Sequence, residues 1–178
     1  GKEVRANWGV KGFGKVRECI LKRFNAEVHS QSALEGMVQL REAKPFKAAD
    51  VKEIDVTIFH TAYAIIGGGE YGDRSKVSTK EEADHSLPYL IAVAALDGDV
   101  QPQQFYPQRI KRADVQNLMR KVKVHPPVRI EKPRKLVEKI DPYSRNYPDL
   151  MPCRIEVKLN GGRKIWIEKT DYSGFKTR

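Results

Sequence analysis

From Leu87 to Leu96 the chain runs Leu-Pro-Tyr-Leu-Ile-Ala-Val-Ala-Ala-Leu. A helix there has almost no polar face to give to water, so the rest of its domain has to cover it on most sides. Ser86 or its neighbour suits the N-cap, Pro88 the first turn, where backbone N–H groups lack partners, and Gly98 a left-handed stop. A charged lead-in from Lys80 to His85 precedes this helix. A second helix is amphipathic: Ala33, Leu34, Met37, Val38 and Leu40 recur at helical spacing after a cap at Ser30 or Ser32, and the pattern stops before Pro45. Val51 to Phe59 alternates instead, with Ile54, Val56 and Ile58 on one face, which is the period of a half-buried strand. Ala113 to Lys121 reads as a third helix, turning Val115, Leu118 and Met119 inward, and Val122 and Val124 begin another strand. Arg154 to Leu159 and Lys164 to Glu168 alternate around Asn160-Gly161-Gly162-Arg163, a hairpin signal, with Ile155, Val157, Leu159, Ile165 and Ile167 on the buried face.

Between these elements the chain is punctuated by breakers. Gly67-Gly68-Gly69 and the polar stretch to Thr79 predict a flexible loop that connects elements or closes over a site. Residues 125–148 contain Pro126, Pro127, Pro133, Pro142 and Pro148 and read as a linker or surface excursion, with a brief helix at Arg134 to Ile140. Residues 1–16, broken by Gly9, Gly12 and Gly14, read as an extended arm, and residues 170–178 as a flexible tail. The body, residues 17–169, is predicted to be one α+β domain with a mostly antiparallel sheet and helices packed on one face.

With 178 residues, 40% of them hydrophobic and 31% charged, the chain has ordinary globular composition and no apolar run of membrane-spanning length. Cys19 and Cys153 show no CxxC spacing, so neither a disulfide framework nor a zinc or iron–sulfur site is suggested. That points to a reducing compartment, the cytoplasm or, in a eukaryote, the mitochondrial matrix. A net charge of +10 invites nucleic acid as a partner, but the basic residues are spread along the whole chain and only 8% of residues are aromatic. An anionic small substrate accounts for the same charge more economically.

The candidate chemistry lies at two predicted helix N-termini, which carry free N–H groups and partial positive charge. Lys22, Arg23, His29 and Ser30 precede or open the amphipathic helix; His85, Ser86 and Tyr89 stand at the mouth of the apolar one, and Tyr63 follows the first strand. Capping and core roles account for the same residues, and the two mouths make an anion site only if the fold brings them together.

Two stretches carry a resemblance: Leu-Lys-Arg-Phe-Asn-Ala-Glu-Val-His-Ser-Gln-Ser-Ala at 21–33 and Ala-Asp-His-Ser-Leu-Pro-Tyr-Leu-Ile-Ala-Val-Ala-Ala-Leu-Asp-Gly at 83–98. They resemble the MmgE/PrpD family, and the hairpin after a Pro-rich approach extends the likeness to roughly residues 15–170. The resemblance implies the smaller, C-terminal domain of a two-domain enzyme with its active site between the domains. It further implies dehydration of 2-methylcitrate or a related tricarboxylate without a cluster or other cofactor. Relatives that decarboxylate cis-aconitate or epimerise iminodisuccinate are the alternatives, with a non-catalytic partner or basic binding module as the competing class. Implied partners are the tricarboxylate, a helical domain or separate helical subunit, and a second copy in a homodimer.

Carried over by position, Lys22 and Tyr63 match active-site residues of the decarboxylase branch. Where that branch has a histidine after the alanine, this chain has Glu27, with His29 two residues on; the departure favours the dehydratase side. The resulting expectation assigns Lys22, His29, Tyr63 and His85 to catalysis and Arg23, Ser30, Ser86 and Tyr89 to substrate binding. Either histidine serves as acid or base.

Overall fold

The computed structural model describes residues 19–128 and 134–175; the arm expected at 1–16 lies outside them. A 3-10 turn at Val28–Ser30 leads into α1 (Gln31–Ala43), and β1 (Val51–Ile58) is followed by α2 (His60–Ile66). Two helices succeed the glycine loop, α3 (Lys80–Asp84) and α4 (Leu87–Asp97), and then the short α5 (Pro107–Ile110) and α6 (Ala113–Met119). β2 (Val122–His125), α7 (Arg134–Ile140), β3 (Cys153–Leu159) and β4 (Lys164–Lys169) complete the order.

One four-stranded sheet runs β2-β1-β3-β4. Its β1–β3 and β3–β4 pairs are antiparallel, whereas β2 joins β1 in parallel, with Ile54 opposite Val122 and Thr57 opposite His125. The fold is therefore α+β with a mixed sheet, in which one pair departs from the antiparallel pattern. Alternation decides the faces. Ile54, Val56, Ile58, Cys153, Ile155 and Val157 are all fully buried. On the other face Glu53, Asp55, Arg154, Glu156 and Lys158 remain partly exposed; Lys158 reaches across to both Glu53 at 2.9 Å and Asp55 at 2.5 Å, and Arg154 meets Glu156 on its own strand at 3.6 Å. α1 lies on the apolar face: a Cβ on Gly36 would stand 3.5 Å from Ile155 and Ile167.

α4 forms as its sequence dictates. The Ser86 hydroxyl accepts from the Tyr89 N–H at 3.2 Å, Pro88 occupies the first turn and Gly98 closes the helix at φ +77°. Leu87 and every residue from Tyr89 to Ala94 are fully buried. The charged lead-in forms its own short helix, α3, held by a reciprocal capping box between Thr79 and Glu82.

The segment after β4 is packed rather than frayed through residue 175. Tyr172 and Phe175 are buried against each other with ring centroids 5.5 Å apart, and the Leu21 N–H donates to the Gly174 carbonyl at 2.9 Å. Gly174 sits at φ +97°, and a Cβ there would lie 2.4 Å from the Leu21 carbonyl oxygen. The anchor is Glu35, on α1 and 1% exposed, which accepts from the Ser173 backbone at 2.9 Å and hydroxyl at 2.5 Å and meets the Lys169 ammonium at 3.2 Å. Burial pushes its pKa up, but the hydrogen bonds from Ser173 and the charge of Lys169 outweigh it and hold the carboxyl below its usual 4.5.

Because the folded pKa is depressed, the stabilisation is present above about pH 4.5 and is lost as pH falls through the folded value. Glu35→Gln should cost roughly 3 kcal/mol at pH 7, the order expected for breaking a buried ion pair. Urea unfolding should show that deficit shrinking as the pH is lowered below 4.5. A deficit independent of pH would mean that the carboxylate charge contributes nothing.

Candidate active site

The chemistry gathers around the first turn of α2. Phe59, in the N-cap position, has no side-chain donor or acceptor, so the helix needs its cap from elsewhere. Ser144 provides it, its hydroxyl oxygen accepting from the His60 N–H at 2.7 Å while donating to the buried carboxylate of Asp141. Asp141 also accepts from the Tyr143 N–H at 3.0 Å. The stretch read as a linker or surface excursion is thus packed in part: Val137, Asp141 and Ser144 are buried, and the turn after α7 contacts the start of α2.

A cleft of about 840 Å³ opens beside α2 at the carboxyl ends of the parallel pair β1 and β2. Asp55, His60, Tyr63, Arg74, Lys123 and His125 line it, and Pro88 brings the first turn of α4 to its edge. The cleft is thus rich in cations and imidazoles. The rings of His60 and Tyr63 are 6.5 Å apart, edge to face. Among the described residues, His60 Nδ1 is buried and has no hydrogen-bond partner. Arg74 is held by its Nε donating to the Ile65 carbonyl at 3.0 Å, and His125 Nε2 lies 3.9 Å from Asp55. At the cleft wall the Ser75 hydroxyl and N–H hold the Asp73 carboxyl below its usual range.

Tyr63 is positioned by the glycines that follow it. The N–H groups of Gly67 and Gly69 both donate to its carbonyl, at 3.0 and 3.2 Å, and a Cβ on Gly69 would lie 2.9 Å from its ring. The stretch read as a flexible loop is therefore seated on the tyrosine, and its smallness is a packing requirement.

The loop carrying Lys22 is shaped by Gln31, whose buried amide accepts from the Arg23 and Phe24 N–H groups and donates to the Phe24 and Ala26 carbonyls. Lys22 itself is exposed, its ammonium donating to the Ala26 carbonyl at 3.0 Å. His29 follows in the 3-10 turn and is only 9% exposed. Its Nδ1 is 2.6 Å from Glu27 Oε1 and its Nε2 is 3.0 Å from the Tyr147 hydroxyl, with Phe59 against the ring at 5.7 Å.

The remaining candidates fall elsewhere. Tyr89 is fully buried with its hydroxyl donating to the Gln104 carbonyl, and burial raises its pKa well above the ordinary phenol range. It is a core residue. The Ser30 hydroxyl donates to the Glu27 carbonyl at 2.6 Å, and that of Ser86 caps α4 while donating to the Arg74 carbonyl at 2.5 Å. Both serines are fully buried, so neither can hold a substrate here. Arg23 is half-exposed and engaged with Glu35 at 3.5 Å. His85 is exposed at the α3–α4 junction, 3.4 Å from Asp84, and no described hydrogen bond or ion pair joins it to the His29 group.

The family model for the MmgE/PrpD C-terminal domain matches residues 24–174. The chain belongs to the MmgE/PrpD family. Its members are generally lyases or related enzymes, and this chain carries the C-terminal domain. Among curated relatives, the mouse (Mus musculus) cis-aconitate decarboxylase is 36% identical over 59 residues, which is 33% of this chain and 12% of the mouse protein. The match thus spans about an eighth of that relative's length. Among the described residues no helix is long and apolar enough to cross a membrane.

Sequence reasoning passed over His60, Arg74, Lys123, His125 and Tyr147. The first and fourth carried a signal, since each histidine stands at the carboxyl end of a strand. Gly69→Ala, whose Cβ would lie 2.9 Å from the ring, should displace Tyr63. Tyr63 side-chain NMR shifts in this variant check it; shifts equal to wild type would separate the glycine from the tyrosine.

Proposed function

We propose that this chain supplies the C-terminal wall of an active site that eliminates water from a tricarboxylate, with 2-methylcitrate passing to 2-methyl-cis-aconitate as the model reaction. The supporting observation is the cleft in which Tyr63 stands with His60, His125, Arg74 and Lys123, in a chain of this family. Removing a proton α to a carboxylate builds negative charge, which preorganised cations stabilise, and the departing hydroxyl needs a proton. Arg74 and Lys123 are the carboxylate-holding groups of the cleft. His60, whose Nδ1 has no partner among the described residues, and the Tyr63 hydroxyl are assigned to hydrogen-bond and orient the bound acid. Lys22, exposed on the Gln31-shaped loop, is assigned the role of a clamp on a distal carboxylate, and His85 faces outward where a helical domain would complete the site.

Decarboxylation of cis-aconitate is the second reading, favoured by the likeness to the mouse decarboxylase. Glu27, standing where that branch has a histidine, weighs against it. A homodimer of the two-domain protein in a reducing compartment is the expected setting.

The test is turnover of 2-methylcitrate, citrate, cis-aconitate and iminodisuccinate by this chain alone and with a helical domain supplied. Unsaturated product from 2-methylcitrate only in the second case is the expected result. Release of carbon dioxide from cis-aconitate would replace elimination by the second reading. Lys22→Ala and Tyr63→Phe should each lower turnover by about 100-fold, and unchanged kinetics would strike that residue from the site.

A further inference from the structure

Both ring nitrogens of His29 are engaged, Nδ1 with the Glu27 carboxylate at 2.6 Å and Nε2 with the Tyr147 hydroxyl at 3.0 Å. An imidazole in that position can reach a substrate only through one of its two partners. Glu27 is also held from the other side, since its second oxygen accepts from the His29 N–H at 2.8 Å, so the carboxylate is fixed across both the backbone and the ring. With the carboxylate accepting from Nδ1–H, the neutral imidazole is set in the tautomer whose Nε2 accepts the tyrosine proton. Tyr147 comes from far along the chain, on the turn whose Ser144 caps α2, and its ring stacks on Phe59 at 5.1 Å. Two independent contacts therefore lock that turn to the start of α2, one residue before His60 and four before Tyr63.

We infer that Glu27, His29 and Tyr147 form a proton relay whose reacting end is the Tyr147 hydroxyl. The inference rests on the elimination reading above. Tyr147 is the catalytic member, and Glu27 and His29 are positioning residues that act through it. As the Tyr147 oxygen takes the proton from the substrate carbon, its own hydroxyl proton passes to His29 Nε2, and the imidazolium formed lies against the Glu27 carboxylate. The electron pair of the broken C–H bond forms the C=C bond as the C–O bond breaks. The proton returns through Nε2 and Tyr147 to the departing hydroxyl oxygen, which leaves as water, and the relay ends in its starting state.

The experiment compares wild type, Tyr147→Phe, Glu27→Gln and Glu27→Asp in the full protein, helical domain included, for kcat and KM with 2-methylcitrate and for melting temperature. Tyr147→Phe keeps the ring against Phe59 and should lose about 100-fold in kcat with KM and melting temperature little changed. Glu27→Gln should lower kcat about tenfold at constant KM, with Glu27→Asp recovering part of it. A Tyr147→Phe protein with wild-type kcat, or a Glu27→Gln defect confined to KM or to melting temperature, would overturn the relay while leaving elimination standing. A wild type that turns over none of the four acids overturns the elimination reading and the relay with it.

Discussion

From Leu87 to Ala95 α4 has no polar face, and the rest of the domain is arranged to keep water from it. A helix whose residues are apolar all round cannot sit on a surface, so strands and helices are required on every side. The sheet meets this need with one apolar face and α1 with its inward stripe, where Gly36 allows close approach to Ile155. The opposite sheet face is then free to be charged. Its cross-strand pairs, such as Lys158 with Glu53 and Asp55, satisfy one another on a partly wet surface, where each is worth little in stability. Enclosure of α4 also fixes where its first turn emerges. Pro88 comes out at the edge of the cleft because Ser86, sealed beneath it, ties α4 to the Arg74 carbonyl.

The site is organised by a second constraint, that buried backbone groups need partners. α2 begins at a residue with no capping side chain, and the loop before α1 makes no regular ladder. Ser144 satisfies the first and Gln31 the second. Each solution moves a distant piece of chain into place: the turn after α7 brings Tyr147 to His29, and the Gln31 amide presents Lys22 outward while turning Phe24 into the core. The positions of these candidate side chains thus follow from how orphan N–H groups are satisfied.

The sequence pattern made most of the elements legible, because period and punctuation are local properties. The limits of α4, the alternation of β1, the β3–β4 hairpin and the helix at Arg134–Ile140 all follow from nearby residues. What it could not convey was pairing across long separations. Nothing in Val122–His125 announces a parallel partner in β1, and nothing in Thr170–Phe175 announces that Ser173 will close on Glu35, which lies on α1. The Pro-rich excursion misled for the same reason. Proline forbids long regular structure, but it does not forbid burial, and Asp141 is as enclosed as any core residue. Ser30, Ser86 and Tyr89 looked reactive because a helix mouth is an apt place for an anion, and the fold instead used them to finish the helices and the core.

The polar groups of the domain consequently divide by whether their bonding is complete. Glu35, Ser86, Asp141 and Gln31 are buried and occupied, and their work is structural. Arg74, held by the Ile65 carbonyl, and the exposed Lys123 line the cleft, and His60 Nδ1 is buried without a described partner. His29 belongs to neither group. Its bonds are complete, yet they are made to a carboxylate and a tyrosine hydroxyl, the two kinds of partner that let an imidazole move a proton without leaving its place. In the proposed relay, Glu27 and Tyr147 are the neighbours through which a nearly buried ring beside α2 would act.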